Sequence, residues 1–138
     1  MKRKIKVLFI CTHNAARSPM AEALANRLLG DRLQAKSAGS KPGILVPQAV
    51  QAMAEVGIDI SSHRPRGLKE LKGERFDFAV TLCKDTEDIC PFYPEADQYL
   101  HHGVNDPPGI DGTEEERLEA YRLMREDIKG FLLRAFGN

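Results

Sequence analysis

The sequence predicts an α/β fold built on a parallel sheet. Two observations carry that expectation. Short apolar and β-branched runs alternate with helical stretches almost throughout the chain, the pattern of a parallel sheet with right-handed crossovers and helices on both faces. The residues with the most chemistry to offer, Cys11, Thr81-Leu82-Cys83 and Asp106, all follow expected strands. Ligands of such sheets sit at the carboxyl ends of the strands, so one pocket can collect all of them.

The elements follow in order. Lys4 to Ile10 reads as a buried strand. Cys11 to Ser18 is a loop, and Pro19 to Leu29 a helix, with Ser18 as N-cap, Pro19 at the first helical position and Gly30 at the end. Leu33 to Ala38 is a second strand, leading into the loop Gly39 to Gly43. Pro47 to Val56 is helical, residues 58–66 are irregular, and Gly67 to Lys72 is a short helix. Phe76 to Thr81 is the third strand. Lys84 to Cys90 is polar and partly helical, broken by Pro91 and Pro94. Gln98 to His101 is the fourth strand, Asn105 to Gly109 a stiff loop. Thr113 to Phe131 is a long helix with Leu118, Tyr121, Met124, Ile128 and Leu132 on one face.

At 138 residues and 15.4 kDa the chain is read as one domain, 1–138, long enough to bury a core without disulfides or a structural metal. Twenty basic side chains balance twenty acidic ones, which argues against a nucleic-acid binder, since that needs surplus cation. No apolar run approaches the ~20 residues of a membrane span, and Lys6 interrupts the first one, against a signal peptide. A cytoplasmic monomer is the expectation. Three cysteines cannot close a disulfide framework, so catalytic, redox or buried roles come first.

The loop Cys11-Thr12-His13-Asn14-Ala15-Ala16-Arg17-Ser18 has a specific physics. A loop curling back before a helix turns successive backbone N–H groups into one hollow, an anion-binding nest. The helix N-terminus adds positive potential, and the planar fork of Arg17 holds two oxyanion oxygens. A tetrahedral oxyanion in that hollow would lie over the Cys11 sulfur, where the positive field favours thiolate and Ser18 can donate a hydrogen bond. Asn14 and His13 suit positions of positive φ. Asp106, stiffened by Pro107, can protonate a leaving oxygen. No glycine-rich nucleotide loop is present.

Cys83 and Cys90 are separated by six residues. Metal binding with His101 and His102 lacks the usual spacing, which leaves burial or redox chemistry. A Cys83–Cys90 bond requires residues 84–90 to bend or loop out, because seven positions of unbroken helix span ~10 Å and a disulfide needs Cα atoms about 4.4–6.8 Å apart.

With these residues in view, the chain resembles the low-molecular-weight protein tyrosine phosphatases through Cys11 to Ser18 and Asp106-Pro107. Through Thr81-Leu82-Cys83, Cys90-Pro91, Gly103 to Pro107 and Gly112 to Glu116 it looks more like the thioredoxin-coupled arsenate reductases built on that fold. The resemblance implies a three-layer α/β/α architecture with a four-stranded parallel sheet of order 2-1-3-4. It also implies a relay. Cys11 attacks arsenate held by Arg17 and the amides of Thr12 to Ser18, and Asp106 protonates the leaving oxygen. Cys83 attacks the Cys11 sulfur, arsenite departs, and a transient Cys11–Cys83 disulfide forms. Cys90 then resolves it to Cys83–Cys90, which thioredoxin, or glutaredoxin with glutathione, reduces. No tightly bound cofactor is implied. Some family members bind potassium; Asn14, Glu22 and Ser37 match part of that site, but Arg64-Pro65-Arg66 stands where an aspartate is expected. A phosphatase and a non-enzymatic oxyanion-binding redox sensor are the alternative readings.

Overall fold

The computed structural model describes residues 3–83, 93–104 and 112–137. Asp106 and residues 84–90, Cys90 among them, lie outside the described residues.

Four strands form one parallel sheet: β1 (Ile5–Cys11), β2 (Leu33–Gly39), β3 (Phe76–Thr81) and β4 (Ala96–His101), in the order β2-β1-β3-β4. The helices are α1 (Arg17–Leu29), α2 (Pro47–Ala54) and α3 (Glu114–Phe136), with one 3-10 turn at Leu68–Leu71. The central strand β1 has to be apolar on both sides, which is why its sequence reads as a continuous run rather than an alternation. Val7, Phe9 and Cys11 face one core, with Met20 and Leu24 of α1, Met53 of α2 and Met124, Ile128 and Leu132 of α3. Leu8 and Ile10 face a second, smaller core closed by Leu71, Phe76 and Tyr93. The three α-helices therefore share one face of the sheet, and among the described residues the 3-10 turn and Tyr93 cover the other.

Helix α3 buries Tyr121, Met124, Ile128, Leu132 and Phe136, spaced three or four apart, so the expected apolar stripe is present with Leu118 partly buried at its edge. It runs five residues beyond the expected end at Phe131, because Phe136 continues the same stripe and packs on Phe78 with ring centroids 5.4 Å apart. Its start is set by sequence alone: the Thr113 hydroxyl accepts from the Glu116 amide, and the Glu116 carboxylate accepts from the Thr113 amide.

Helix α1 differs from expectation at its start. It begins at Arg17, and Ser18 is its second residue rather than its cap. The Met20 amide already donates to the Ala16 carbonyl at 2.9 Å, so helical bonding starts there. Pro19 is tolerated because amides of the first turn lack helical acceptors anyway. Ser18 is freed from capping and serves the site instead. Glu22 consequently sits beyond the first turn, where the N-terminal dipole does not account for it. No helix among the described residues is long and apolar enough to cross a membrane.

Candidate active site

The carboxyl ends of β1 and β3 lie side by side at the centre of the sheet. Ile10 pairs with Thr81, and the Leu82 amide still donates to the Ile10 carbonyl at 2.8 Å. Cys11 thus ends β1, and Cys83 lies just past the last rung between the two strands. Both thiols are buried, at 1% exposure each. Strand pairing stops at Thr81, so Cys83 is not held to the alternation of a strand.

The Cys11–Ser18 loop is ordered from both sides. On the outside, the carbonyls of Thr12, His13 and Ala15 accept from the amides of Lys41, Gly43 and Val46 at 2.8, 2.9 and 3.0 Å. A planar trans peptide points its N–H opposite to its C=O. The amides of His13, Asn14 and Ala16 therefore point away from residues 41–46. Amides turned to that side are what an anion-binding nest requires.

Asn14 has a φ of 50°, the only positive value among the described non-glycine residues, so the expectation of positive φ holds for Asn14 and not for His13. It is fully buried and uses every polar position of its amide. Its Nδ2 donates to Ser18 Oγ at 2.8 Å and Ser37 Oγ at 2.9 Å. Its Oδ1 accepts from the Arg66 backbone amide at 2.8 Å and from His63 Nε2 at 3.0 Å. A backbone N–H can only donate, so the Arg66 contact fixes which end of the Asn14 amide is oxygen. That fixes Nδ2 as the donor to Ser18, whose Oγ lies within hydrogen-bond distance of Cys11 Sγ at 2.9 Å. The expected contact between Ser18 and the sulfur is present.

The same network takes up the residues read as a fragment of a potassium site. Ser37 Oγ donates to Glu22 Oε1 at 2.6 Å, while both lone pairs of Asn14 Oδ1 are engaged by N–H donors rather than turned toward a cation. Arg66, within the Arg64-Pro65-Arg66 stretch that departs from the expected aspartate, contributes its backbone amide here. Among the described residues no group of three or more His, Cys, Asp or Glu side chains is placed to hold a metal. His101 bonds to Thr81 and His102 to Asp127.

Arg17 is buried at 2% exposure, and its Nη1 donates to the Val104 carbonyl at 3.2 Å. Val104 is itself tied to β3 through the Leu82 carbonyl at 3.0 Å. The guanidinium is thereby braced by backbone next to the strand ends. His13 is exposed, with Nδ1 3.0 Å from the Lys41 carbonyl. Gly39 ends β2 against this loop: a Cβ there would meet the Thr12 carbonyl at 2.6 Å and the Asn14 nitrogen at 2.8 Å. His63, the 41–46 segment and the Val104 carbonyl are parts of the site that the sequence did not reveal. Half-burial holds the His63 pKa below the ordinary histidine value; Glu22 opposes that shift and Arg66 adds to it.

A cysteine at a strand end, an arginine six positions on and an amide nest before a helix define an oxyanion-handling cysteine enzyme fold. Residues 6–134 match the family described as low molecular weight phosphotyrosine protein phosphatase, and the chain belongs to that family. An arsenate reductase of Bacillus subtilis is 41% identical over 128 residues, 93% of this chain and 91% of its own length. A solved arsenate reductase in its phosphate-binding state superposes with a TM-score of 0.79 at 27% identity, covering 94% of this chain and 95% of that one. A Corynebacterium glutamicum thioredoxin-dependent arsenate reductase superposes with a TM-score of 0.62 at 30% identity, covering 96% of this chain and 64% of that one.

Proposed function

We propose that this chain reduces arsenate to arsenite with electrons delivered by thioredoxin. The observation that carries the reading is the pairing of two buried thiols, Cys11 and Cys83, at the ends of adjacent strands, the first of them inside an oxyanion nest. The relatives named above support it.

The chemistry runs as three sulfur steps. The Cys11 thiolate attacks arsenic in a bound arsenate, held by Arg17 and the amides of the loop, and one oxygen leaves as water after taking protons, the last from Asp106. An S–As bond replaces an O–As bond and arsenic remains pentavalent. The Cys83 thiolate then attacks Cys11 Sγ, the S–As bond breaks, and its electron pair stays on arsenic, which departs as trivalent arsenite. Cys11 and Cys83 are left as a disulfide. Cys90 attacks Cys83, releasing Cys11, and the resulting Cys83–Cys90 disulfide is reduced by a dithiol protein. Thioredoxin, at a potential of about −270 mV, is a competent donor. Ser18 and Asn14 position the first sulfur throughout.

A phosphatase reading has a specific basis too, since phosphate esters and arsenate are similar tetrahedral anions and the first step needs only the Cys11 loop. It leaves Cys83 without a task. The test is arsenate-dependent NADPH consumption with thioredoxin and its reductase, repeated with glutaredoxin and glutathione. The Cys83→Ser variant loses multiple-turnover arsenate reduction, by at least a hundredfold, and keeps phosphatase activity toward a small aryl phosphate. Parallel loss of both activities would refute the relay.

A further inference from the structure

We infer that Gly43 is a positioning residue that sets the oxyanion affinity of the Cys11–Ser18 loop, and that its lack of a side chain is matched to the presence of a β-carbon at position 13. The inference rests on the oxyanion reading above and names a residue of the same site outside the loop itself.

Gly43 belongs to the segment that braces the loop from outside, and its amide donates to the His13 carbonyl at 2.9 Å. That bond fixes the peptide between His13 and Asn14, whose N–H is one of the three turned away from residues 41–46. The position immediately after is Asn14, whose φ of 50° reverses the chain and gives the nest its curvature. A rotation of the 13–14 peptide would therefore turn a donor away from the anion and disturb the residue that orients Ser18.

Glycine is not required at 43 by backbone conformation. The described glycines with positive φ are Gly57, Gly73 and Gly112, and Gly43 is not among them. What the site excludes is a side chain. A Cβ at 43 would lie 3.2 Å from His13 Cβ, 3.7 Å from His13 Cγ and 3.8 Å from the His13 carbonyl oxygen. The nearest of these is tighter than ordinary van der Waals contact, and it falls on a Cβ fixed to the backbone rather than on the end of a flexible chain. The His13 ring cannot simply rotate to relieve it, because the ring is not the atom in contact; its Nδ1 is besides 3.0 Å from the Lys41 carbonyl of the same brace. Relief comes from moving the 13–14 peptide by a few tenths of an ångström, away from the Gly43 amide. Position 13 and position 43 are thus a steric pair in which a side chain is accommodated on one side only.

A purely structural role for Gly43 predicts that alanine lowers the thermal midpoint and leaves the phosphate affinity of the folded chain unchanged. At a position of negative φ, replacing glycine with alanine restricts the unfolded chain and stabilises the fold. Positioning predicts weaker anion binding while the thermal midpoint holds or rises.

The test is the dissociation constant of inorganic phosphate, measured by calorimetry on the reduced full-length chain. Gly43→Ala binds phosphate about fivefold more weakly, the loss expected from one misaligned hydrogen bond to an anion. The double variant His13→Ala/Gly43→Ala stays weak, because the Cβ–Cβ contact remains. His13→Gly/Gly43→Ala returns to within about twofold of His13→Gly alone, a coupling that a double-mutant cycle isolates. Gly43→Pro removes the amide hydrogen altogether, weakens binding about tenfold, and is not rescued by His13→Gly. Wild-type affinity in Gly43→Ala, or equal affinities of the two double variants, would overturn the inference while leaving the oxyanion reading in place. Absence of phosphate binding by the wild-type chain would overturn both.

Discussion

Asn14 is the buried group on which the catalytic loop turns, and its replacement by alanine gives the most demanding test of the site's construction. The side chain makes four hydrogen bonds, to Ser18, Ser37, the Arg66 amide and His63, and the residue holds a φ of 50°. A buried hydrogen bond contributes roughly 1 kcal/mol net, so the four together contribute about 4 kcal/mol. Alanine adds about 1 kcal/mol for a left-handed conformation that asparagine tolerates better. Relaxation of Ser18 and Ser37 toward each other and toward Glu22 recovers part of this. The net expected loss is about 4 kcal/mol, a large share of the 5–15 kcal/mol that holds a domain of this size together. Thermal unfolding checks it directly: the midpoint should fall by about 15 °C, at roughly 4 °C per kcal/mol for a chain of this length. Urea denaturation should show the same loss with an unchanged slope. The rate of the first chemical step, followed with an aryl phosphate at a temperature where the variant is folded, should fall with it, because Ser18, 2.9 Å from Cys11 Sγ, loses the hydrogen bond that holds it in place. A loss below about 1 kcal/mol with an unchanged rate would refute the argument that this amide organises the loop.

Two further expectations concern pH. His63 is held below its ordinary pKa, first by burial, so the folded state binds fewer protons than the unfolded state once pH drops below about 6.5. Its contribution to stability is complete above that value and is lost as pH falls through the folded pKa; His63→Gln, which keeps an N–H for Asn14, should flatten the slope of stability against pH in that interval, and an unchanged slope would exclude His63 as its source. Glu55 has its carboxyl lowered to about 2, first by Arg122 and then by Arg125, in a contact that ties α2 to α3. The depressed pKa means this stabilisation is present above the ordinary glutamate value and disappears as pH falls through about 2; Glu55→Gln should raise the pH midpoint of acid unfolding, read by circular dichroism, and a midpoint unmoved at low salt would count against the contact.

The order and kind of the regular elements followed from sequence because each has a local cause. The apolar run of β1 has no polar side for water to solvate, the stripe of α3 repeats every three or four residues, and Thr113 with Glu116 closes its own cap. Cys11, Arg17 and Ser18 were legible for the same reason: nest, helix start and nucleophile are neighbours in the chain. Local reasoning failed where two local roles competed. Ser18 is a good N-cap by residue type, yet the Ala16–Met20 bond starts the helix earlier and the hydroxyl goes to the sulfur.

Sequence alone determined the parallel α/β sheet and the loop that sets Cys11, Arg17 and Ser18 between a strand end and a helix start, since strand patterning, capping and the spacing from Cys11 to Arg17 are short-range properties. The tertiary structure decided what steadies that loop. Asn14 draws on donors and acceptors from residues 18, 37, 63 and 66, and the carbonyls of Thr12, His13 and Ala15 are turned outward by residues 41–46. No spacing rule reaches across those intervals, because which distant amide meets a given carbonyl depends on how β2 and the segments after it return to the end of β1.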